Sequence, residues 1–159
     1  MTTAISIALY QPDIPQNLGG TLRLAACMNV ETHVIEPCGF VFDDRKLHRV
    51  GLDYTDLAPL KKHSSWDAFR AWQQSQNRRL VLLTTKGSTP LPDFTFQDGD
   101  ILLAGRESAG VPESVADCAD ARIVIPMQPP ARSLNVTVSI AMCLTEALRQ
   151  TRQFPNPQG

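Results

Sequence analysis

Short apolar runs alternate with amphipathic stretches along the whole chain. Ile5-Ser6-Ile7-Ala8-Leu9-Tyr10 has the pattern of a strand, and Leu18 to Met28 that of a helix. Thr32 to Glu36 is a second strand, stopped by Pro37. Asp43-Asp44 is placed to cap a short basic helix from Arg45 to Val50, and Asp56 to Leu60 has the pattern of a short strand. Ser64-Ser65 opens a helix that carries Trp66, Phe69, Ala71 and Trp72 at helical spacing. Arg79 to Thr85 (RLVLLTT), Ile101 to Gly105 (ILLAG) and Arg122 to Pro126 (RIVIP) are continuous apolar runs, as in strands buried on both faces. Leu134 to Arg149 closes the chain as a helix. Its expected inner side is Val138, Ala141, Met142, Thr145 and Leu148, with Val136, Ile140 and Leu144 outside that stripe.

Strands separated by helices predict an α/β fold, a parallel sheet with helices on both faces. No repeat or linker divides the chain. The expectation is one domain over residues 1–153, with 154–159 as a flexible tail.

Composition narrows the class. The chain has 159 residues, enough for one domain with a real core. Apolar residues are 43% and charged residues 19%, with a formal net charge of −1. A protein that grips a long run of phosphates carries a basic face, so any such face here is local: Arg45-Lys46-His48-Arg49, Lys61-Lys62 or Arg78-Arg79. Cys27, Cys38, Cys118 and Cys143 form no CxxC pair, which argues against zinc and against a disulfide framework. His33, His48 and His63 are scattered without metal-ligand spacing. The N-terminal text MTTAISIALYQ is not a signal peptide, and no run approaches the ~20 residues of a membrane span. A soluble, cytoplasmic protein without a metal or a membrane partner is expected.

Three loops at carboxyl ends of strands carry the polar residues, where ligands of parallel α/β sheets gather. In the first, PQNLGGTLR, Gly19 and Gly20 stand at a helix start although glycine costs about 1 kcal/mol relative to alanine there. Arg23 follows one turn later. Close approach of a ligand is one reason for the glycines, a loose helix start another. The second, GRESAGVP from Gly105 to Pro112, departs from a dinucleotide fingerprint because Glu107 replaces the middle glycine and would repel a pyrophosphate. Pro112 suits a first helical position and Gly110 the turn before it. In the third, IPMQPPARSLNVTVS, either Ser133 or Asn135 can cap the last helix, which leaves the other and Arg132 without a structural reason. There is no G-x-S-x-G elbow, so hydrolase chemistry has little support.

Taken in order, N-x-G-x-x-x-R (Asn17 to Arg23), G-x-E-x-x-G-V-P (Gly105 to Pro112) and I-P-M…R-S-L-N-V (Ile125 to Val136) resemble the three motifs of the SpoU branch of the SPOUT RNA methyltransferases. The resemblance spans Ile5 to Arg149. The short length and FDDRKLHRVGLDY, Phe42 to Tyr54, are most similar to the subfamily that methylates the ribose 2′-hydroxyl of the tRNA wobble nucleotide, a cytidine or uridine. The resemblance implies a C-terminal trefoil knot, S-adenosyl-L-methionine bound in it, and a homodimer with a shared site for the tRNA anticodon stem-loop. It implies cofactor contacts at Leu83, Thr84, Gly105, Ile125, Met127, Ser133 and Leu134. Asn17, Arg23, Glu107, Ser133 and Asn135 match its catalytic motif positions. Gly105 is then expected to leave room for the cofactor. Ala104 stands where a bulky aromatic is common, and Ala109 where a basic residue often stands, which removes a possible phosphate contact. Methylation of another tRNA or rRNA ribose, or RNA binding without catalysis, are the alternatives.

Overall fold

The computed structural model describes residues 2–41, 59–87 and 89–158. The expected Arg45–Val50 helix, His48 and most of the Asp56–Leu60 segment lie outside these residues. The strands are β1 (Ser6–Tyr10), β2 (Glu31–Ile35), β3 (Leu60–His63), β4 (Leu80–Leu83), β5 (Thr89–Pro90), β6 (Ile101–Ala104) and β7 (Ala121–Val124). The helices are α1 (Pro15–Met28), α2 (Trp66–Ser75), α3 (Glu113–Ala116) and α4 (Val136–Thr151). All strand pairs are parallel, in the order β3-β2-β1-β6-β4-β7-β5.

Alternation along the central strands divides the core into two layers, because successive strand side chains face opposite ways. Ile7, Leu9, Val81 and Leu102 pack with Leu18, Leu22 and Ala25 of α1 and with Ile140, Leu144 and Leu148 of α4. Ala8, Leu80, Leu82 and Leu103 pack on the other face with Phe69 of α2 and with Val115 and Ala116 of α3. Helices therefore cover both faces, as the pattern predicted.

Local chemistry sets the boundaries. Helix α1 begins at Pro15, earlier than Leu18, since proline at a first helical position has its φ preset and needs no hydrogen-bond partner. Gly19 and Gly20 thus lie inside the helix. Ser65 caps α2 by accepting from the Ala68 N–H at 3.0 Å. Pro112 is the N-cap of α3 rather than its first residue.

The closing helix reverses the expected faces except at Leu148, which is buried as expected. Ile140, Cys143, Leu144, Ala147 and Leu148 are buried, whereas Val138 and Met142 are exposed. Apolar residues line both sides of α4, so helical period alone could not choose between two stripes about half a turn apart. The buried stripe follows i, i+3, i+4, i+7, i+8 and is the more continuous.

Two features escaped the sequence. Thr89–Pro90 is a short edge strand beside β7. Gly87 sits so close to β7 that a Cβ there would lie 2.5 Å from the Ile123 carbonyl carbon. Two of the histidines, His33 and His63, meet in the fold. His33 Nδ1 lies 2.9 Å from His63 Nε2, and the ring of Trp72 packs over His33.

Candidate active site

A cavity of about 290 Å³ opens at the carboxyl ends of β4, β6 and β7. Ligand pockets favour such strand ends, and their usual size begins near 300 Å³. Leu83, Thr84, Gly105, Ile125, Met127, Ser133 and Leu134 all line it, together with Glu107. The strands bring these distant segments together: Thr84 donates to the Ile123 carbonyl at 3.0 Å, and Leu83 pairs with both Ala104 and Ile123. Leu83, Ile125, Met127 and Leu134 offer apolar surface, Thr84 and Ser133 hydroxyls, and the loop backbone polar groups.

The Gly105 loop is a tight hairpin. Arg106 and Gly110 exchange main-chain hydrogen bonds at 3.1 and 2.8 Å, and Gly110 has a φ of +63°. A Cβ on Gly105 would come within 2.7 Å of Gly110 Cα, so its glycine is first a requirement of the loop's own closure. Room for a cofactor, the reason expected for this glycine, is therefore not its first one: a side chain here would disturb the loop itself.

Asp13, absent from the sequence expectations, holds this loop to the end of β1. Its Oδ1 accepts from the Glu107 N–H at 3.3 Å, Ser108 Oγ bonds its Oδ2, and its own N–H donates to Glu107 Oε2 at 3.4 Å. Burial pushes the Glu107 carboxyl above the usual range, reinforced by its bond to Asp13. The bonds to Glu107 and Ser108 hold Asp13 below that range. Gly39 packs against the same residue, since a Cβ there would lie 2.6 Å from Asp13 Cβ, but no signal in the sequence joins the two.

Asn17 and Asn135 lie outside the cavity lining and join α1 to α4. Asn135 Oδ1 caps α4 by accepting from the Val138 N–H at 3.1 Å, while its Nδ2 donates to Asn17 Oδ1 at 3.0 Å. The Asn17 carbonyl also accepts from Thr21 and Thr137. Asn135 is thus the cap, and Ser133 remains at the cavity. Gly19 is buried, and the side chain missing from Gly20 would face Thr137, so neither glycine clears an open ligand path. Arg23 is exposed on α1 and does not line the cavity.

The cavity also contains Cys143, but burial pushes its thiol up to about 12, which suits packing rather than nucleophilic attack. Among the described residues no group of His, Cys, Asp and Glu is arranged to hold a metal ion. No helix of the described residues is long and apolar enough to cross a membrane.

A parallel α/β domain with its small-molecule cavity at the strand ends is the class that fold and site define. The chain belongs to the SpoU rRNA Methylase family, whose model matches residues 4–145. It is 62% identical over 144 residues to a tRNA (cytidine(34)-2'-O)-methyltransferase of Beijerinckia indica, a match covering 91% of this chain and 90% of that protein. A solved structure concerning the 2-OH methylation of C/U34 on tRNA superposes with a TM-score of 0.87 at 38% identity, covering 93% of this chain and 96% of the other. The SpoU methyltransferase AviRb from Streptomyces viridochromogenes, solved in complex with AdoMet, gives 0.86 at 25% identity over 94% of this chain and 61% of that one.

Proposed function

We propose that this protein is an S-adenosylmethionine-dependent tRNA 2′-O-methyltransferase that modifies the ribose of the wobble nucleotide, cytidine or uridine 34. The observation that carries the assignment is the meeting of the Gly105–Pro112 and Ile125–Val136 motifs around one cavity, with Asn17 of the first motif bonded to Asn135, in a chain this similar to a wobble methyltransferase.

The cavity fits the cofactor in chemistry. Apolar side chains of Leu83, Ile125, Met127 and Leu134 suit a nucleoside, and the hydroxyls of Thr84 and Ser133 suit its polar edges. Bound there, S-adenosylmethionine supplies a methyl group already activated by its sulfonium. The chain's own residues then have to place a 2′-hydroxyl in line with that methyl and ease loss of the hydroxyl proton. Arg23 carries a guanidinium cation and is a poor base. Its role is to hold an RNA phosphate beside the ribose. Asn17 and Asn135 position the two motif helices through their mutual hydrogen bond.

Arg23 stands apart from the cavity of its own chain, which supports a site completed across a homodimer. The exposed apolar residues Ile14, Leu134, Val138 and Met142 give such a pair its contact surface. A specific contact would bury roughly 1,000 Å² or more. A C-terminal trefoil knot belongs to the same proposal, and the tight crossing of Gly87 against β7 supports it.

The test is methyl transfer from labelled S-adenosylmethionine to tRNA, followed by mapping of the methylated ribose. Label at nucleotide 34 is the expected result; label at another ribose would move the enzyme to a different RNA site. Cofactor binding without transfer to any RNA would favour a noncatalytic module.

A further inference from the structure

We propose that Asp13 is a positioning residue for the cofactor: it holds the tip of the Gly105 hairpin, so that this wall of the cavity is already set when S-adenosylmethionine arrives. The inference rests on the methyltransferase reading above. Glu107, Ser108 and Ala109 form the tip, and all three line the cavity. The hairpin closes on itself at its base, through the Arg106–Gly110 pair. Its tip is tied to the segment after β1 by three bonds to Asp13. Oδ1 accepts from the Glu107 N–H, Oδ2 bonds the Ser108 hydroxyl, and the Asp13 N–H donates to Glu107 Oε2. A carboxylate that accepts from both an amide and a hydroxyl makes stronger bonds than a neutral acceptor would.

Asp13 can act as an anchor because it is itself held. The Gln11 N–H donates to the Ile35 carbonyl and the Gly39 N–H to the Pro12 carbonyl, each at 2.9 Å. The segment after β1 is thereby fastened to the loop after β2, where Gly39 packs so closely that a side chain would strike Asp13. Gln11 has a left-handed φ of +42°, which a residue other than glycine keeps only where its surroundings hold it. Ser108 and Ala109, by contrast, are exposed. A wall that must find its place on binding costs affinity, and a wall fixed beforehand does not. Asp13 itself does not line the cavity, so its effect falls on cofactor binding rather than on the chemical step.

Calorimetry with S-adenosylmethionine and steady-state methylation of tRNA test the inference together. Asp13→Ala should weaken cofactor binding about tenfold and raise the cofactor KM to match, with kcat at saturating cofactor within about threefold of wild type. Asp13→Asn keeps an oxygen for the Glu107 N–H and offers its amide to Ser108, so its affinity should stay within about threefold of wild type. Ser108→Ala, an exposed change that spares the fold, should cost about threefold, and adding it to Asp13→Ala should cost less than about twofold more. Exchange of the Glu107 amide, followed without RNA or turnover, should quicken by about tenfold or more in Asp13→Ala and not in Asp13→Asn. Wild-type cofactor affinity in Asp13→Ala overturns the inference. So does an equal loss in the Asn and Ala variants, which would mark an effect of charge alone. A fall in kcat at unchanged cofactor KM, the mark of lost folded enzyme, overturns it too. If the wild type binds no S-adenosylmethionine, the functional reading fails, while the Glu107 exchange rate still decides whether Asp13 holds the tip.

Discussion

The two ends of the sheet carry similar residues and put them to opposite uses. At the amino ends of the strands, arginines and carboxylates are bound up in the fold. Arg79 forks onto Asp100 at 2.9 and 2.7 Å, and Asp100, fully buried, also accepts from the Gln97 N–H. Arg78 donates to the carbonyls of Gly99 and Ala4 and to Ser6 Oγ. A hollow of about 370 Å³ beside them exceeds the roughly 290 Å³ of the cavity at the carboxyl ends, yet its Arg78, Arg79 and Asp120 already have partners within the chain. At the carboxyl ends, Ser133 lines an open cavity, and the Thr84 hydroxyl beside it, which accepts from the Lys86 N–H at 3.1 Å, still has its proton to donate. A pocket's size therefore says little about function. What matters is whether its polar atoms still have work to do for a ligand.

The largest effect expected from this contrast is on stability at the amino end. Asp100→Ala leaves the Arg79 fork and the Gln97 N–H without their acceptor, and breaking a buried pair from one side costs about 3 kcal/mol or more. Urea unfolding should register that loss, while cofactor affinity of the folded fraction stays near the wild-type value. A large fall in cofactor affinity at full foldedness would erase the distinction between the ends.

Arg23 sharpens the contrast from the other side. Arg23→Ala should slow single-turnover methyl transfer on the order of 10²-fold, about 2.7 kcal/mol, with cofactor affinity and stability nearly unchanged. Arg23→Lys should rescue poorly, since an ammonium lacks the planar two-pronged contact. Rates near wild type in both variants would reduce Arg23 to a surface residue of α1.

The parallel sheet and the helix layers on its two faces were largely legible because strand patterning and helix caps are local signals. RLVLLTT and ILLAG could be placed centrally from composition alone, and Ser65 announced its helix. That Leu83, Thr84, Gly105, Ile125, Met127, Ser133 and Leu134 would line one cavity was legible only through motif resemblance. What stayed hidden depends on distant segments meeting. Asp13 is an ordinary loop aspartate until the Gly105 hairpin folds onto it. Gly87 needs β7 against it, and the buried stripe of α4 needs the sheet to choose it. The His33–His63 contact joins residues thirty positions apart in sequence.

That histidine pair belongs with the groups the fold has consumed, and it predicts a pH effect of intermediate size. Burial drives the His33 imidazole from its ordinary 6.5 to about 4, with His63 and Arg78 adding to the depression and Glu31 opposing it. Between those values the unfolded chain binds a proton that the native protein does not. The stabilisation is complete above pH 6.5 and is lost as pH falls through about 4, on the order of 2 kcal/mol in all. Unfolding free energies from pH 7 down to 4 should decline along that window, and the His33 ring resonances should stay neutral down to about pH 5. A His33 that titrates near 6.5 would remove this contribution.

The smallest effect decides what the paired glycines of α1 are for. Gly20 lies in the helix interior, where alanine is favoured by up to about 1 kcal/mol. A Cβ at Gly20 would lie 3.4 Å from both Thr137 Cγ2 and Thr137 Oγ1, ordinary van der Waals contact. Thr137 has little freedom to retreat, because its hydroxyl donates to the Asn17 carbonyl at 3.1 Å and pairs with Thr21 at 3.3 Å. Gly20→Ala should therefore stabilise the protein by only about 0.5 kcal/mol, a partial return of the helix gain. The added methyl points at α4 and away from solvent, so methyl transfer should remain within about twofold of wild type, a change smaller than 0.5 kcal/mol. Stability raised with activity intact makes Gly20 a contact of the α1–α4 junction. Stability raised with transfer cut tenfold or more would instead place RNA against this turn, and the boundary between groups bound up in the fold and groups left for the ligand would have to be redrawn through α1.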